Sequence, residues 1–140
     1  MAKRDRRGRS APDSGRPCPC GSGQPYPECC GALHEGRASA ATAEALMRSR
    51  FTAFALGDPG YLLRTWHPRT RPARLTLDPG QRWTRLDILD TDRGGLFDTT
   101  GTVEFRAHYR HAGHAGEQRE RSRFVRDDGN WVYLDAEQDR

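Results

Sequence analysis

The 140-residue sequence predicts an α+β fold, on three observations. Two segments with helical apolar spacing lie between Thr42 and Pro68. Four segments that alternate apolar and polar residues follow, from Arg82 to Asp135, with short turn-rich stretches between them. Helices first and strands afterwards is the order of an antiparallel sheet covered by helices on one face.

Thr42 opens the first helix as a good cap, Glu44 sits in its first turn, and Gly57 follows its last apolar position. Ala43, Leu46, Met47, Phe51 and Phe54 share one face. A second, short helix starts where Asp58 caps and Pro59 suits the first turn, and Pro68 closes the segment. The strands are expected over 82–90, 101–110, 117–126 and 131–135, with "DDGN" as a tight turn and "HAGHAG" as a loop. In the second strand Val103, Phe105, Ala107 and Tyr109 face one way and Glu104, Arg106, His108 and Arg110 the other. Leu75 to Leu77 is a candidate edge strand.

Composition limits the rest. The hydrophobic fraction is 34% and the charged fraction 30%, which implies a thin core or unfolded parts. The net charge is +4, and residues 1–17 hold six bases against two acids, leaving 17 of each sign over 18–140. The excess is therefore a property of a basic, disordered tail over 1–17, which suits loose attraction to RNA or another polyanion. No apolar stretch follows the basic start, and none approaches the ~18 residues of a membrane span. The expectation is a soluble cytoplasmic protein, where thiols stay reduced.

All four cysteines fall in "CPCGSGQPYPECCG", residues 18–31, as Cys-x-Cys-x8-Cys-Cys. Four soft, deprotonatable donors match a tetrahedral zinc ion, which has no redox chemistry of its own. Gly21, Ser22 and Gly23 let the chain turn after Cys20, and Pro25 and Pro27 stiffen its return. The segment is too poor in apolar residues to fold unaided, so one structural Zn2+ would supply the missing energy. A thioredoxin-type site needs Cys-x-x-Cys, which is absent. His34 is an alternative fourth donor to Cys30, because two adjacent cysteines are a tight fit on one ion.

"CPCGSGQPYPECCG" resembles the SEC-C motif, a small zinc-binding module. By that resemblance the ligands are Cys18, Cys20, Cys29 and Cys30. Together with "TAEALMRSRFTAF", "YLLRTWHPRTRP" and "ERSRFVRDDGNWVYLD", the chain is similar over about residues 17–135 to the YchJ family of bacterial proteins. The resemblance implies a SEC-C-like zinc motif over 18–36, followed over 37–140 by a nuclear transport factor 2-like (cystatin-like) domain. That domain has two or three helices packed on a curved antiparallel sheet.

Arg50 is the residue most out of place, because it points along the apolar face of the first helix. A buried guanidinium needs a partner, and Glu104, Asp87, Glu120 or backbone carbonyls are candidates. Alternatively Arg50 lines a cavity between helix and sheet with Trp66 and His67, a pocket position that the resembling folds often use. His108, His111 and His114 recur every three residues, but on a strand and a loop no single face gathers them. "EQRERSRFVR" reads as a solvated strand with local ion pairs.

Two functions follow. The leading one is a binding or adaptor protein, its zinc motif and basic tail contacting a protein, the ribosome or a nucleic acid. The alternative is a ligand-binding protein or small enzyme working from the cavity, with His67 and an acidic partner as acid and base. The sequence leans away from an enzyme, since it holds no nucleophile elbow, phosphate loop or paired-acid signature.

Overall fold

The computed structural model describes residues 16–137. The basic tail expected over 1–17 lies outside them, apart from Arg16 and Pro17. The order of elements is a 3-10 turn (Tyr26–Glu28), α1 (Cys30–His34), α2 (Ala43–Leu56), α3 (Pro59–Arg64) and four strands. The strands are β1 (Gln81–Arg93), β2 (Thr100–His111), β3 (His114–Asp127) and β4 (Asn130–Ala136). They form one antiparallel meander in the order β1-β2-β3-β4.

Local chemistry sets these boundaries. The Thr42 hydroxyl accepts from the amide of Ala45 at 3.0 Å and starts α2, and Gly57 ends it at φ 76°. The Asp58 carboxylate accepts from the amide of Tyr61 at 3.1 Å at the start of α3, with Pro59 in the first turn. Ala112–Gly113 (φ 52° and 82°) and Asp128–Gly129 (φ 55° and 84°) are two-residue turns with both residues left-handed, the conformation that matches the twist of a hairpin. Because so short a turn leaves its flanks in the ladder, "HAGHAG" is not a loop: His111 and His114 pair directly. The edge strand expected at Leu75 to Leu77 is also absent. Those leucines pack instead on a small cluster of Ala53, Tyr61 and Leu62.

The main core is the apolar face of α2 laid on the sheet. Ala43, Leu46, Met47 and Phe51 meet Leu86, Val103, Phe105, Ala107, Phe124 and Trp131. Val103, Phe105 and Ala107 are buried while Glu104 and Arg106 between them are partly exposed, as period two requires. Burial of a side chain the size of Leu46 or Phe124 contributes about 1.5–3 kcal/mol. No helix of the described residues is long and apolar enough to cross a membrane.

Candidate metal centre

The four thiols meet because the chain from Cys18 to Cys30 doubles back on itself. The amide of Cys18 donates to the carbonyl of Gln24 at 2.7 Å, and the amide of Gly21 to that of Cys18 at 3.1 Å. Gly21 takes φ 87°, a left-handed conformation that a side chain would strain. Cys29 adopts a non-helical φ −122°, ψ −112° immediately before α1, so it and Cys30 turn into the same space.

The four Sγ atoms lie within 4.8 Å of one another. Cys20 and Cys29 are 3.6 Å apart, and Cys29 and Cys30 4.0 Å. A tetrahedron of ~2.3 Å metal–sulfur bonds has edges of about 3.8 Å, which these distances bracket. They are far too long for disulfides, which join sulfurs at ~2.05 Å, and all four thiols are free. Cys18, Cys20 and Cys30 are buried and Cys29 is half-buried, so the cluster could hold a metal ion away from solvent. Hydrogen bonds with Cys18 and Cys30 hold the Cys20 thiol well below the usual thiol range. The hydrogen bond with Cys18 pushes Cys30 far above it. The group thus favours one thiolate and resists a second, because like charges this close repel.

His34 lies outside the cluster. Its Nε2 donates to the carbonyl oxygen of Ser49 at 2.9 Å, since a carbonyl can only accept. Its Nδ1 is therefore the acceptor for the Tyr26 hydroxyl at 2.8 Å. With both ring nitrogens engaged, the imidazole is a brace between the cysteine loop and α2. The sequence offered it as a ligand because two adjacent cysteines are a tight fit on one ion, and the contact with Ser49, fifteen positions away, left no local signal.

The outer face of α2 receives the whole motif. Thr52 lies about 180° round the helix from Ala43, at 100° per residue, and its hydroxyl is 3.7 Å from the Cys18 sulfur. Arg48 donates to the carbonyl of Cys20 at 2.7 Å, and the Ser49 hydroxyl exchanges a 2.7 Å hydrogen bond with that of Tyr61. Ser49 and Thr52 are fully buried. The side of α2 that carries Arg48, Ser49 and Thr52 is therefore a second packing face.

On the sheet side, a cavity of about 190 Å³ lies between α2 and the inner face of the strands, lined by Arg50 and Trp66 among others but not by His67. His67 is bridged to β4 instead, its amide donating to the carbonyl of Tyr133, while its Nδ1 accepts from the amide of Arg69 at 3.0 Å. Arg50 is 4% exposed. Its Nη1 donates to the carbonyl of Leu62 at 2.8 Å and to the Thr65 hydroxyl at 2.7 Å. Its guanidinium carbon lies 5.2 Å from the Trp66 ring centre and 4.8 Å from that of Tyr133. Burial pulls its pKa down to about 10.

Of its expected partners, Asp87 pairs with Arg85 and His108, and Glu104 with Arg119 and Arg121. Both carboxylates point to the opposite face of the sheet, which is why Arg50 has to rely on a carbonyl and a hydroxyl. Glu120, which pairs with Phe105 across β2 and β3, does reach the cavity, where it accepts from the Ser122 hydroxyl at 2.7 Å. The outer face of β3 carries the expected ion pairs, including Arg106–Glu117 and Arg123–Asp135. His108 and His111 bind Asp87 and Asp78, so the three histidines gather no metal.

Residues 42–136 match the model of the YchJ middle domain of nuclear transport factor 2-like type. A UPF0225 protein of Streptomyces coelicolor is 65% identical over 121 residues, covering 86% of this chain and 94% of that one. One of Deinococcus radiodurans is 49% identical over 122 residues, covering 86% and 88%. Two solved SEC-C motif containing proteins are also similar. The solution structure from Rhodopseudomonas palustris superposes with TM-score 0.77 at 35% identity, over 89% of this chain and 100% of the other. The crystal structure from Psychrobacter arcticus gives 0.72 at 26%, over 91% and 86%.

Proposed function

The chain belongs to the YchJ family, and on that premise we propose that it is a zinc-stabilised binding protein of the cytoplasm. Cys18, Cys20, Cys29 and Cys30 hold one structural Zn2+. The convergence of their four sulfurs within 4.8 Å carries this reading. Bound zinc supplies no redox step; it neutralises the thiolates and adds folding energy that the motif's few apolar residues lack. The protein side does the rest: Arg48 and His34 anchor the loop to α2 through a carbonyl at each end.

The exposed turn of the motif, Gly21 to Gln24, and the basic tail over 1–17 face the partner, a protein, the ribosome or a nucleic acid. Titration of labelled single-stranded RNA at increasing salt tests the electrostatic part. Deleting residues 1–15, which carry five bases, should flatten the slope of log affinity against log salt by up to about 3.5, at ~0.7 per phosphate neutralised. Identical affinity and slope with and without the tail would end that part of the reading.

A second reading, a ligand-binding protein working from the cavity, is favoured by one observation: a buried arginine without a carboxylate partner lines it.

A further inference from the structure

The cavity beneath α2 has a polarity that core packing does not account for. Its walls are aromatic, from Phe51, Phe54 and Trp83, yet Arg50 and Glu120 also open onto it. Arg50 is held in place by two oxygens on Nη1 and by two rings, so its orientation is fixed. Among the described residues all its hydrogen bonds leave from that one nitrogen. Nε and Nη2 have no acceptor, on a guanidinium that carries five donors. The indole N–H of Trp66, in the same wall, is buried and also lacks an acceptor. A buried indole N–H without an acceptor and a buried charge are costly unless something oxygen-rich occupies the space.

Size and charge narrow the occupant. At about 190 Å³ the cavity is somewhat larger than the ~150 Å³ void that accepts a benzene ring. The excess suits one small polar substituent at each end of a ring. The free edge of Arg50 fits a carboxylate, which it would meet with two parallel hydrogen bonds. Glu120 would repel a second anion but accepts from a hydroxyl or amine, as it already does from Ser122.

From this we infer that the cavity binds a small aromatic carboxylate bearing a hydroxyl or amino group, its carboxylate on Arg50 and its ring among Phe51, Phe54 and Trp83. The inference rests on the second reading above and is independent of the zinc site.

The test uses the full chain with its metal content measured on the same sample. 4-Hydroxybenzoate and the uncharged 4-hydroxybenzyl alcohol are titrated by calorimetry and by 1H–15N spectra. The acid should bind saturably and shift the indole resonances of Trp66 and Trp83, leaving Trp131 unmoved. The alcohol should bind at least about tenfold more weakly, the order expected for loss of a charge-assisted pair. Arg50→Gln should abolish that preference. Should Arg50→Gln fail to fold, Ala107→Leu, which fills the cavity wall without touching Arg50, should lose both ligands. Equal affinity for acid and alcohol would overturn the role given to Arg50 while leaving a ligand cavity. No saturable binding of either probe up to about 10 mM would overturn the cavity reading itself.

Discussion

Arg48 on α2 donates to the backbone carbonyl of Cys20 at 2.7 Å, so the helix grips the cysteine loop by its main chain. The same guanidinium is held by Glu44 one turn earlier, at 3.0 Å. Arg48→Met keeps the apolar stem but removes both contacts, leaving a carbonyl in the motif without its donor. The expected cost is about 1–3 kcal/mol, with faster loss of metal to a chelator. Unchanged thermal stability and metal retention would show that the loop does not need this anchor.

Metal removal should be felt on one side of α2 and not the other. The motif's amides, residues 18–34, should lose protection from hydrogen exchange on chelation. Those of β2 and β3 should keep theirs, since the Val103–Phe105–Phe124 core contains no motif residue. Exchange that accelerates evenly through the sheet would mean that motif and domain fold as one unit.

What was legible in the sequence is what depends on local spacing. The caps Thr42, Gly57 and Asp58, the alternation from Val103 to Tyr109 and the turn at Asp128–Gly129 each fix a backbone choice within a few residues. The four-cysteine cluster belongs to this class. What was missed depends on distant contacts. His34 meets Ser49 fifteen positions away, and no local pattern distinguishes that brace from a ligand. The second packing face of α2 did leave a signal, because Ala45, Ser49 and Thr52 are small where a solvated face usually carries Lys or Glu. Of the partners offered for Arg50, a backbone carbonyl is the one it uses, and the alternation of β2 already turned Glu104 away; that Leu62 and Thr65 supply the acceptors depends on how α3 packs beside α2, which no local pattern shows.

Arg50→Met should cost about 1–3 kcal/mol, the range for stranding a neutral carbonyl and a hydroxyl. That lies below the ~3–5 kcal/mol typical of breaking a buried ion pair. Urea denaturation decides between them, and a loss beyond that upper range would reveal a carboxylate partner for Arg50.

The outer face of the sheet should contribute stability that acid removes. Arg123 contacts both carboxylate oxygens of Asp135 at 2.6 Å and holds its pKa below the usual range. A depressed carboxylate stabilises the fold fully above its unfolded pKa of about 3.9, and the contribution is lost as pH falls through the lower folded value. Because the pair is largely solvent-exposed, Asp135→Asn should cost at most about 1 kcal/mol near neutrality. The difference from wild type should shrink as pH falls below about 3.9 and vanish at the acid limit, as read from denaturation midpoints of both proteins at each pH. A difference that persists there would place the effect of Asp135 outside its charge.

The central claim is that four cysteine sulfurs, and not His34, hold one zinc ion. Elemental analysis of the purified full chain beside Cys30→Ser and His34→Ala tests it most directly. The account predicts one equivalent of zinc in the wild type, its loss in Cys30→Ser and its retention in His34→Ala. A wild-type chain without metal, or zinc retained in Cys30→Ser and lost in His34→Ala, would contradict it.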